Sequence, residues 1–338
     1  MNQSALLRGG FLCLLTTLAW GGMFPVAGAI LAHMDAFYMG TIRYALAAVI
    51  FLVLLAMIEG GPALALGDAA TRTRLFIYGS LGFAGFSFLA FLGQSLAGTS
   101  GALVASIIMA LMPFLTVLCS WVLKGVRPTS FALGAVGVAL AGVLLVVTKG
   151  NPAAFAATGV SVWGDILILL GALCWVLYTM GGSTFPSWSP LRYTALSCAL
   201  GTISMIVITA AATSAGWLHA PSVEATLVVW PQLAYMVLIA AVMAVFSWNA
   251  GIRILTPING ILFINLVPVT TFTITAIQGK PIEIIQVIGA GLTIVALIAN
   301  NLDQRRRAAR ATVSAGPPVS HVTSSETETT SVPVGASS

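Results

Sequence analysis

Arg43 is the one basic residue that falls inside a long apolar run of this sequence. A charged side chain in hydrocarbon costs about 2.5 to 3.5 kcal/mol on insertion scales, so it needs a partner or a function. Its position places it about 9 Å along its helix, near the outer side of a membrane. Two interpretations stay open. Arg43 is a counter-charge for a carboxylate or an organiser of the outer gate, or it is a snorkelling side chain that caps backbone carbonyls.

Trp20 and Trp175 each lie in an apolar run and are followed by residues that bend helices or add polar contacts. These followers are Gly21, Gly22 and Pro25 in the first run, and Tyr178, Gly181 and Gly182 in the second. A Trp away from the membrane interface needs an acceptor for its indole N–H. The pattern predicts two aromatic walls of a central cavity beside helices that can bend, and simple packing between helices is the alternative.

Other polar side chains within the apolar runs are few. They are Gln94, Asn249, Asn265 and Gln278, with Tyr78, Ser106, Trp248 and Thr271 beside them. In hydrocarbon such groups face the protein interior. Asn249 and Asn265 are predicted to hydrogen-bond a polar substrate, although each could equally connect neighbouring helices.

Acidic residues are absent from the middle of every apolar run. Asp165 and Glu283, at the predicted outer ends, are therefore the candidates for proton coupling, and uncoupled transport or exchange is the alternative. The sequence lacks a GxxxxGK[ST] motif, which excludes ATP hydrolysis by this chain. Its histidines and four cysteines show no metal-ligand spacing, so we expect no metal, no cofactor and no enzyme active site.

The elements that must position these residues are transmembrane helices. Hydrophobic residues make up 59% of the chain and charged residues 7%, against roughly 25% charged in a soluble domain. A helix needs about 20 apolar residues to cross the hydrocarbon. Ten segments qualify: 11–31, 37–58, 75–97, 100–123, 131–148, 163–182, 191–213, 228–250, 257–278 and 284–302. The sequence thus predicts an all-α integral membrane protein.

The basic residues predict the orientation of these helices rather than a nucleic-acid surface. With ten spans and cytoplasmic termini, Lys149 and Lys280 lie outside and eleven basic residues lie inside, as the positive-inside rule requires. The inside set is Arg8, Arg72, Arg74, Lys124, Arg127, Arg192, Arg253, Arg305, Arg306, Arg307 and Arg310. Residues 303–338 are rich in Ser, Thr, Pro and Gly, which predicts a disordered cytoplasmic tail.

The chain repeats itself at an offset of 155 residues (175 − 20), because Leu18-Ala19-Trp20 reappears as Leu173-Cys174-Trp175. At the same offset Pro113 matches Pro268 and Gly134 matches Gly289. Residues 1–148 and 163–302 are therefore predicted to be two related halves of five helices each. An odd number of helices inverts the second half, and inverted repeats support alternating access to a site at the midplane. Pro113 and Pro268 are predicted helix breaks that serve as gating points.

Three features together carry a family resemblance: the Leu18-Ala19-Trp20-Gly21 element, Arg43, and the Pro113 and Pro268 helices with the Gly-rich spans that follow them. In these features the chain resembles the drug/metabolite transporter (DMT) superfamily, specifically its EamA-type ten-helix exporters. The resemblance covers residues 8–302. It implies a basket of ten helices that exports amino acids, other metabolites or toxic compounds across the inner or plasma membrane. A passive channel and, less favoured, a membrane-embedded enzyme are the alternatives.

The expected partners are a small-molecule substrate and the lipid bilayer, with no nucleic acid. A single buried Arg does not favour a phosphorylated substrate. Amino acids are the first expectation and lipophilic toxicants the second. Small residues four apart, Gly137 with Ala141 and Gly289 with Thr293, predict close helix contacts, with a homodimer as the minor alternative.

Overall fold

Long α-helices form the apolar runs in the computed structural model, which describes residues 3–125, 127–151, 159–255 and 261–314. Strands do not occur in these ranges. A helix satisfies its own backbone N–H and C=O groups, which is the condition for crossing hydrocarbon. The all-α prediction is therefore confirmed for the described part of the chain.

We label the longer helices in chain order. They are α1 (Gln3–Ile30), α2 (Ala36–Glu59), α3 (Ala69–Leu96), α4 (Gly101–Met109), α5 (Met112–Lys124), α6 (Ser130–Thr148), α7 (Gly159–Gly181), α8 (Pro190–Ser214), α9 (Trp230–Leu255), α10 (Leu266–Ile277) and α11 (Ile284–Ser314). Two of them change to π-helical winding, α3 at Ser80–Gly85 and α9 at Tyr235–Met243. A short helix, Val223–Val228, precedes α9.

Six helices in the described ranges are long and apolar enough to cross a membrane: α1, α2, α3, α7, α8 and α9. The pair α4 and α5 meets the same criterion together, with a bend of 43° between them. Shorter apolar stretches occur in α6, α10 and α11. The outward faces are apolar as well; on α2, for example, Val49, Val53 and Met57 are exposed. Such a surface requires lipid as its solvent, so the chain is an integral membrane protein.

Polar caps start several helices at the membrane boundaries. The Asp35 carboxylate accepts hydrogen bonds from the backbone N–H groups of Phe37 and Tyr38 at the start of α2. Asp68 caps α3 in the same way, and its hydrogen bonds from Thr71 hold the pKa of this exposed carboxyl below its ordinary value. These caps fix where the chain turns back into the membrane.

Close contacts at glycines hold the helices together. A Cβ added at Gly93 of α3 would lie 2.4 Å from the Gly164 carbonyl oxygen of α7. A Cβ added at Gly142 of α6 would lie 2.5 Å from the Gly289 carbonyl oxygen of α11. Since lipid tails are as apolar as the side chains, this close backbone approach stabilises the bundle by van der Waals contact. The contact predicted at Gly289 thus lies inside the molecule, whereas Gly137 and Ala141 are exposed on α6.

The helix α11 continues beyond the predicted last span and ends at Ser314. Residues 303–314 are therefore helical, which corrects the prediction of disorder for this first part of the tail. Asp303 and Arg307 form an ion pair one turn apart, at 2.7 Å, and such pairs support an exposed helix. The remainder of the predicted tail, 315–338, lies outside the described residues.

Candidate functional site

A small cavity of about 30 Å³ lies between the helices in the interior of the bundle. That volume holds only about two water molecules. Its lining comes from both halves of the chain: Trp20, Met23, Phe24, Arg43, Tyr44, Phe86, Met109, Met112, Trp175, Val245, Ile264 and Val267. We call this space the inner cavity.

Six of the twelve residues that line the inner cavity form pairs at the repeat offset. Trp20 and Trp175 are 155 residues apart, and so are Met109 and Ile264, and Met112 and Val267. Equivalent positions of the two sequence repeats therefore meet at one place, as they do around a transporter site between repeats.

Three Trp rings pack together at the inner cavity. The Trp20 ring meets Trp175 edge-on at 5.7 Å between centroids and Trp248 at 5.3 Å. The Trp20 indole N–H donates to the Ala240 carbonyl at 3.2 Å, whereas the buried Trp248 indole nitrogen has no acceptor. We call these rings the Trp layer. The repeat does not predict the position of Trp248 in this layer, because the residue at the equivalent position is Gly93.

A larger space of about 600 Å³ lies on the other side of Trp248. Ligand pockets commonly have about 300 to 1,000 Å³. Its lining extends from Trp248 and Asn249 to Arg253 at the end of α9, and includes the α7–α8 connection. The space opens at the end of the bundle that carries Arg192 and Arg253, which we call the basic end. We call the space the vestibule.

Arg43 is 1% exposed and reaches from α2 to the π-helical segment of α9. Its Nε donates to the Met236 carbonyl and its Nη2 to the Ala240 carbonyl, both at 3.1 Å. A π-helical turn departs from the regular ladder of backbone hydrogen bonds, so these carbonyls can take side-chain donors. The Arg43 guanidinium also lies 4.7 Å from the centre of the Tyr44 ring. The carbonyl-capping interpretation matches this geometry, and the counter-charge interpretation stays a prediction.

The remaining predicted cavity residues fall in different places. Asn249 lines the vestibule and donates to the Thr194 hydroxyl at 2.6 Å. Outside the lining of both spaces lie Tyr78, Gln94, Tyr178 and Asn265.

The surroundings of these four side chains differ. Tyr78 packs against Phe185, and Tyr178 stacks on Tyr193 at 5.2 Å. Gln94 donates to the Phe24 carbonyl at 2.7 Å. Asn265 is buried just before α10, and neither polar atom of its side chain has a hydrogen-bond partner.

The predicted flexible points of α1 make close contacts with other helices. Pro25 lies inside a continuous helix, and because Pro has no N–H it leaves the Gly21 carbonyl without its usual donor. The Thr271 hydroxyl of α10 donates to that carbonyl at 2.8 Å. A Cβ added at Gly22 would lie 2.5 Å from the Tyr235 hydroxyl oxygen. Gly21 and Gly22 therefore allow α9 and α10 to approach α1.

Pro113 and Pro268 both follow interruptions in a helix. Pro113 is the second residue of α5, directly after the 43° bend. Pro268 is the third residue of α10, which follows the 3-10 turn Ile261–Asn265. Both prolines thus mark the points where a new helical segment starts.

The two coupling candidates lie away from the inner cavity. Glu283 is exposed and forms an ion pair with Lys149 at 3.5 Å, at the end opposite the basic end. Asp165 is partly buried, and its Oδ1 has no hydrogen-bond partner. Neither lines either space.

Comparison with known proteins shows similarity to membrane transporters. The sequence profile of the EamA-like transporter family matches residues 7–148 and 162–302. The chain is 39% identical to the uncharacterized transporter YrdR of Bacillus subtilis over 90% of this chain and 95% of that one. It is 31% identical to the uncharacterized transporter YyaM of Bacillus subtilis over 76% of this chain and 81% of that one. A solved crystal structure, 19% identical, has the same fold with a TM-score of 0.62, over 90% of this chain and all of that one.

Proposed function

The chain belongs to the EamA-like transporter family, and from that premise we propose that it exports a small organic molecule by alternating access. The carrier has ten membrane-spanning segments in two inverted halves. One conformation opens towards each side of the membrane, and the substrate binds near the Trp layer between the halves.

The observation that carries this proposal is a difference between equivalent positions. At the end opposite the basic end, Gln94 donates to the Phe24 carbonyl at 2.7 Å and Thr271 to the Gly21 carbonyl at 2.8 Å. The residues at the repeat offset of 155 line the open vestibule instead: Asn249, Thr179, Thr116 and Val176. The same contacts are closed in one half and open in the other, as expected for one of two alternating states.

Packing between the helices supports the inverted repeat. Helix α1 contacts α9 and α10, and its equivalent α7 contacts α3 and the pair α4 and α5. Helix α2 contacts its own equivalent α8, as α6 does α11. The π-helical segments begin at Ser80 and Tyr235, again 155 residues apart. Each of these helices therefore contacts helices equivalent to those that its counterpart in the other half contacts.

The charge distribution supports an orientation. In the proposed carrier the basic end faces the cytoplasm, because basic residues stay on that side of the cell membrane. Both termini are then cytoplasmic. The vestibule opens to the cytoplasm, where an exporter binds its substrate.

A passive channel is the alternative function, and a membrane-embedded enzyme is less favoured. The hydrogen-bonded contacts at Phe24 and Gly21 close the end opposite the vestibule, which supports a carrier over an open pore. Amino acids are the first substrates to test and lipophilic compounds the second. Lipid surrounds the protein, and a homodimer through the exposed Gly137 face of α6 is a secondary proposal.

Counterflow into liposomes that contain the purified chain tests the proposal. Liposomes loaded with an unlabelled compound take up the labelled form faster if a carrier exchanges the two. The panel contains amino acids and lipophilic compounds, with and without an imposed pH gradient. We expect saturable exchange for at least one of them. Uptake that needs no internal substrate and does not saturate would indicate a channel instead.

A further inference from the structure

Arg43 lines the inner cavity, and one edge of its guanidinium makes no hydrogen bond in the structure. Nε and Nη2, on one edge of the planar group, donate to the Met236 and Ala240 carbonyls. Nη1 is buried and has no hydrogen-bond partner. One hydrogen of Nη1 and the remaining hydrogen of Nη2 lie on the adjoining edge, which has the geometry that binds both oxygens of a carboxylate.

The described protein does not supply a counter-ion for this charge. Ion pairs in the described ranges join Lys149 to Glu283 and Asp303 to Arg307. None of these four residues lines the inner cavity. Arg43 is also the one charged residue among those that line the inner cavity. A buried charge is costly unless it is paired and hydrogen-bonded, so the site is incomplete as an electrostatic unit.

The positive charge of Arg43 occurs in the first half only and is not repeated in the second half. The position equivalent to Arg43 in the second half is Cys198, at the offset of 155 (198 − 43), and it is a buried free cysteine. The remaining lining is mostly aromatic or aliphatic, with Trp20, Trp175 and Phe86 beside Met109 and Met112. Met side chains adapt to ligands of different shape. One cation in an apolar chamber suits a molecule with one anionic group and an apolar body.

We infer that Arg43 binds the carboxylate of the transported molecule, whose apolar body packs against Trp20, Trp175 and the side chains of Met109 and Met112. This inference rests on the proposed transport function and narrows its substrates to carboxylates, including zwitterionic amino acids. The molecule enters from the vestibule, and the inner cavity enlarges when the Trp layer moves apart.

Matched pairs of compounds test the inference in the wild-type protein. Leucine, methionine, phenylalanine and tryptophan, with their N-acetyl derivatives, carry a carboxylate, and the corresponding amides carry none. Tetraphenylphosphonium represents a lipophilic cation. Counterflow of each labelled compound is measured in proteoliposomes, and protein-free liposomes measure leakage. We expect carboxylates to exchange at least about tenfold faster than their amides, as loss of a charge-assisted hydrogen bond predicts.

Variants of Arg43 provide a second test. Arg43→Gln should lower carboxylate exchange about tenfold, and Arg43→Lys should retain more of it because it keeps the positive charge. Arg8→Gln, which changes an exposed charge on α1, is the matched control. Monodisperse elution and an unchanged melting temperature identify variants that fold. If an Arg43 variant does not fold, the comparison of carboxylates with amides in the wild-type protein decides the question.

The outcomes separate the inference from the function on which it rests. Exchange of amides or tetraphenylphosphonium at rates equal to or above those of carboxylates would overturn the inference and leave a transporter. Unchanged carboxylate exchange in folded Arg43→Gln would also overturn it. No exchange of any compound in the panel would overturn the proposed transport function and the inference with it.

Discussion

At the scale of the residue, the Ala240 carbonyl connects the groups with the most evident chemistry. It accepts hydrogen bonds from the Trp20 indole and from Arg43, which lie on different helices. A ligand bound to Arg43 would therefore act on the same backbone atom that positions Trp20. In the proposed carrier, this shared acceptor would couple substrate binding to movement of the Trp layer.

Replacing Trp20 with Phe tests this connection. Trp20→Phe keeps an aromatic ring but removes the donor to Ala240, a hydrogen bond worth about 0.5 to 1.5 kcal/mol. We expect exchange to slow about threefold to tenfold while the protein still inserts into the membrane. Counterflow is the measurement, and Trp121→Phe, at an exposed Trp of α5, is the control. Equal exchange in the two variants would show that the Trp20 indole has no part in transport.

Thr271 offers a prediction for stability. Thr271→Val removes the donor to the Gly21 carbonyl, which Pro25 leaves without a backbone partner, so we expect a loss of about 1 to 3 kcal/mol. Thr273→Val is the matched control, because the Thr273 hydroxyl is exposed and donates only to the Val269 carbonyl of its own helix. The melting temperature of the purified protein measures both.

A double-mutant cycle tests the stated cause of that loss. Pro25→Ala restores a backbone N–H for the Gly21 carbonyl, so Thr271→Val should then cost less. Additive effects of the two substitutions would contradict the assigned role of the Thr271 hydroxyl.

At the scale of the element, the helices that surround the site are irregular in matching ways. Helices α3 and α9 change to π winding at equivalent positions, and α5 and α10 begin after interruptions that precede Pro113 and Pro268. Regular helices would present fewer free carbonyls and resist bending. In the proposed carrier, these irregular segments beside the Trp layer are the places where the helices bend.

Two cysteine pairs should report the two states of the carrier. In a background without Cys13, Cys119, Cys174 and Cys198, one protein carries Gly28→Cys with Gln94→Cys, because a Cβ at Gly28 would lie 3.5 Å from the Gln94 side-chain nitrogen. The other carries the equivalent pair at the repeat offset, Ser183→Cys with Asn249→Cys, which line the vestibule. Under mild oxidation, we expect the first pair to form a disulfide in the state described here. The second pair should do so only when the vestibule closes.

Mass spectrometry of oxidised protein measures each disulfide, and counterflow measures its effect. Either crosslink should stop exchange, and reduction should restore it. With all four substitutions in one chain, the two disulfides should exclude each other. Simultaneous formation of both would contradict alternating access.

At the scale of the whole molecule, the two ends of the bundle differ. Hydrogen bonds at Phe24 and Gly21 join helices on one side of the Trp layer, and the vestibule beside Arg253 lies on the other side. If the basic end is cytoplasmic, this state receives molecules from inside the cell. That orientation is the part of the proposal that gives transport its direction.

Two exposed serines at opposite ends test the orientation. Ser214→Cys at the end of α8 and Ser183→Cys beside the vestibule are made in the cysteine-free background. A membrane-impermeant maleimide added to intact cells should label the cysteine at 214 directly. It should label the cysteine at 183 only after permeabilisation. The reverse pattern would place the vestibule on the outer side and reverse the proposed direction.

The sequence by itself determined the membrane class of this protein, its six long apolar helices in the described ranges and the repeat at an offset of 155. These properties can be predicted because the hydropathy of a span depends on neighbouring residues and a repeat is recognised by its constant offset in the sequence. Arg43, Trp20 and Trp175 were also identifiable, since a charge or an indole N–H in an apolar run needs a partner wherever it points.

Only the tertiary structure decided which polar residues face the cavity. Nearly every face of these helices is apolar, so no amphipathic stripe indicates which side turns inward. Asn249 therefore lines the vestibule while Asn265 does not, and the third Trp, Trp248, joins the layer from a position without a repeat partner. The end that carries the vestibule was also undetermined by sequence, because in the proposed carrier two inverted halves encode two nearly equivalent states and the packing between helices selects one.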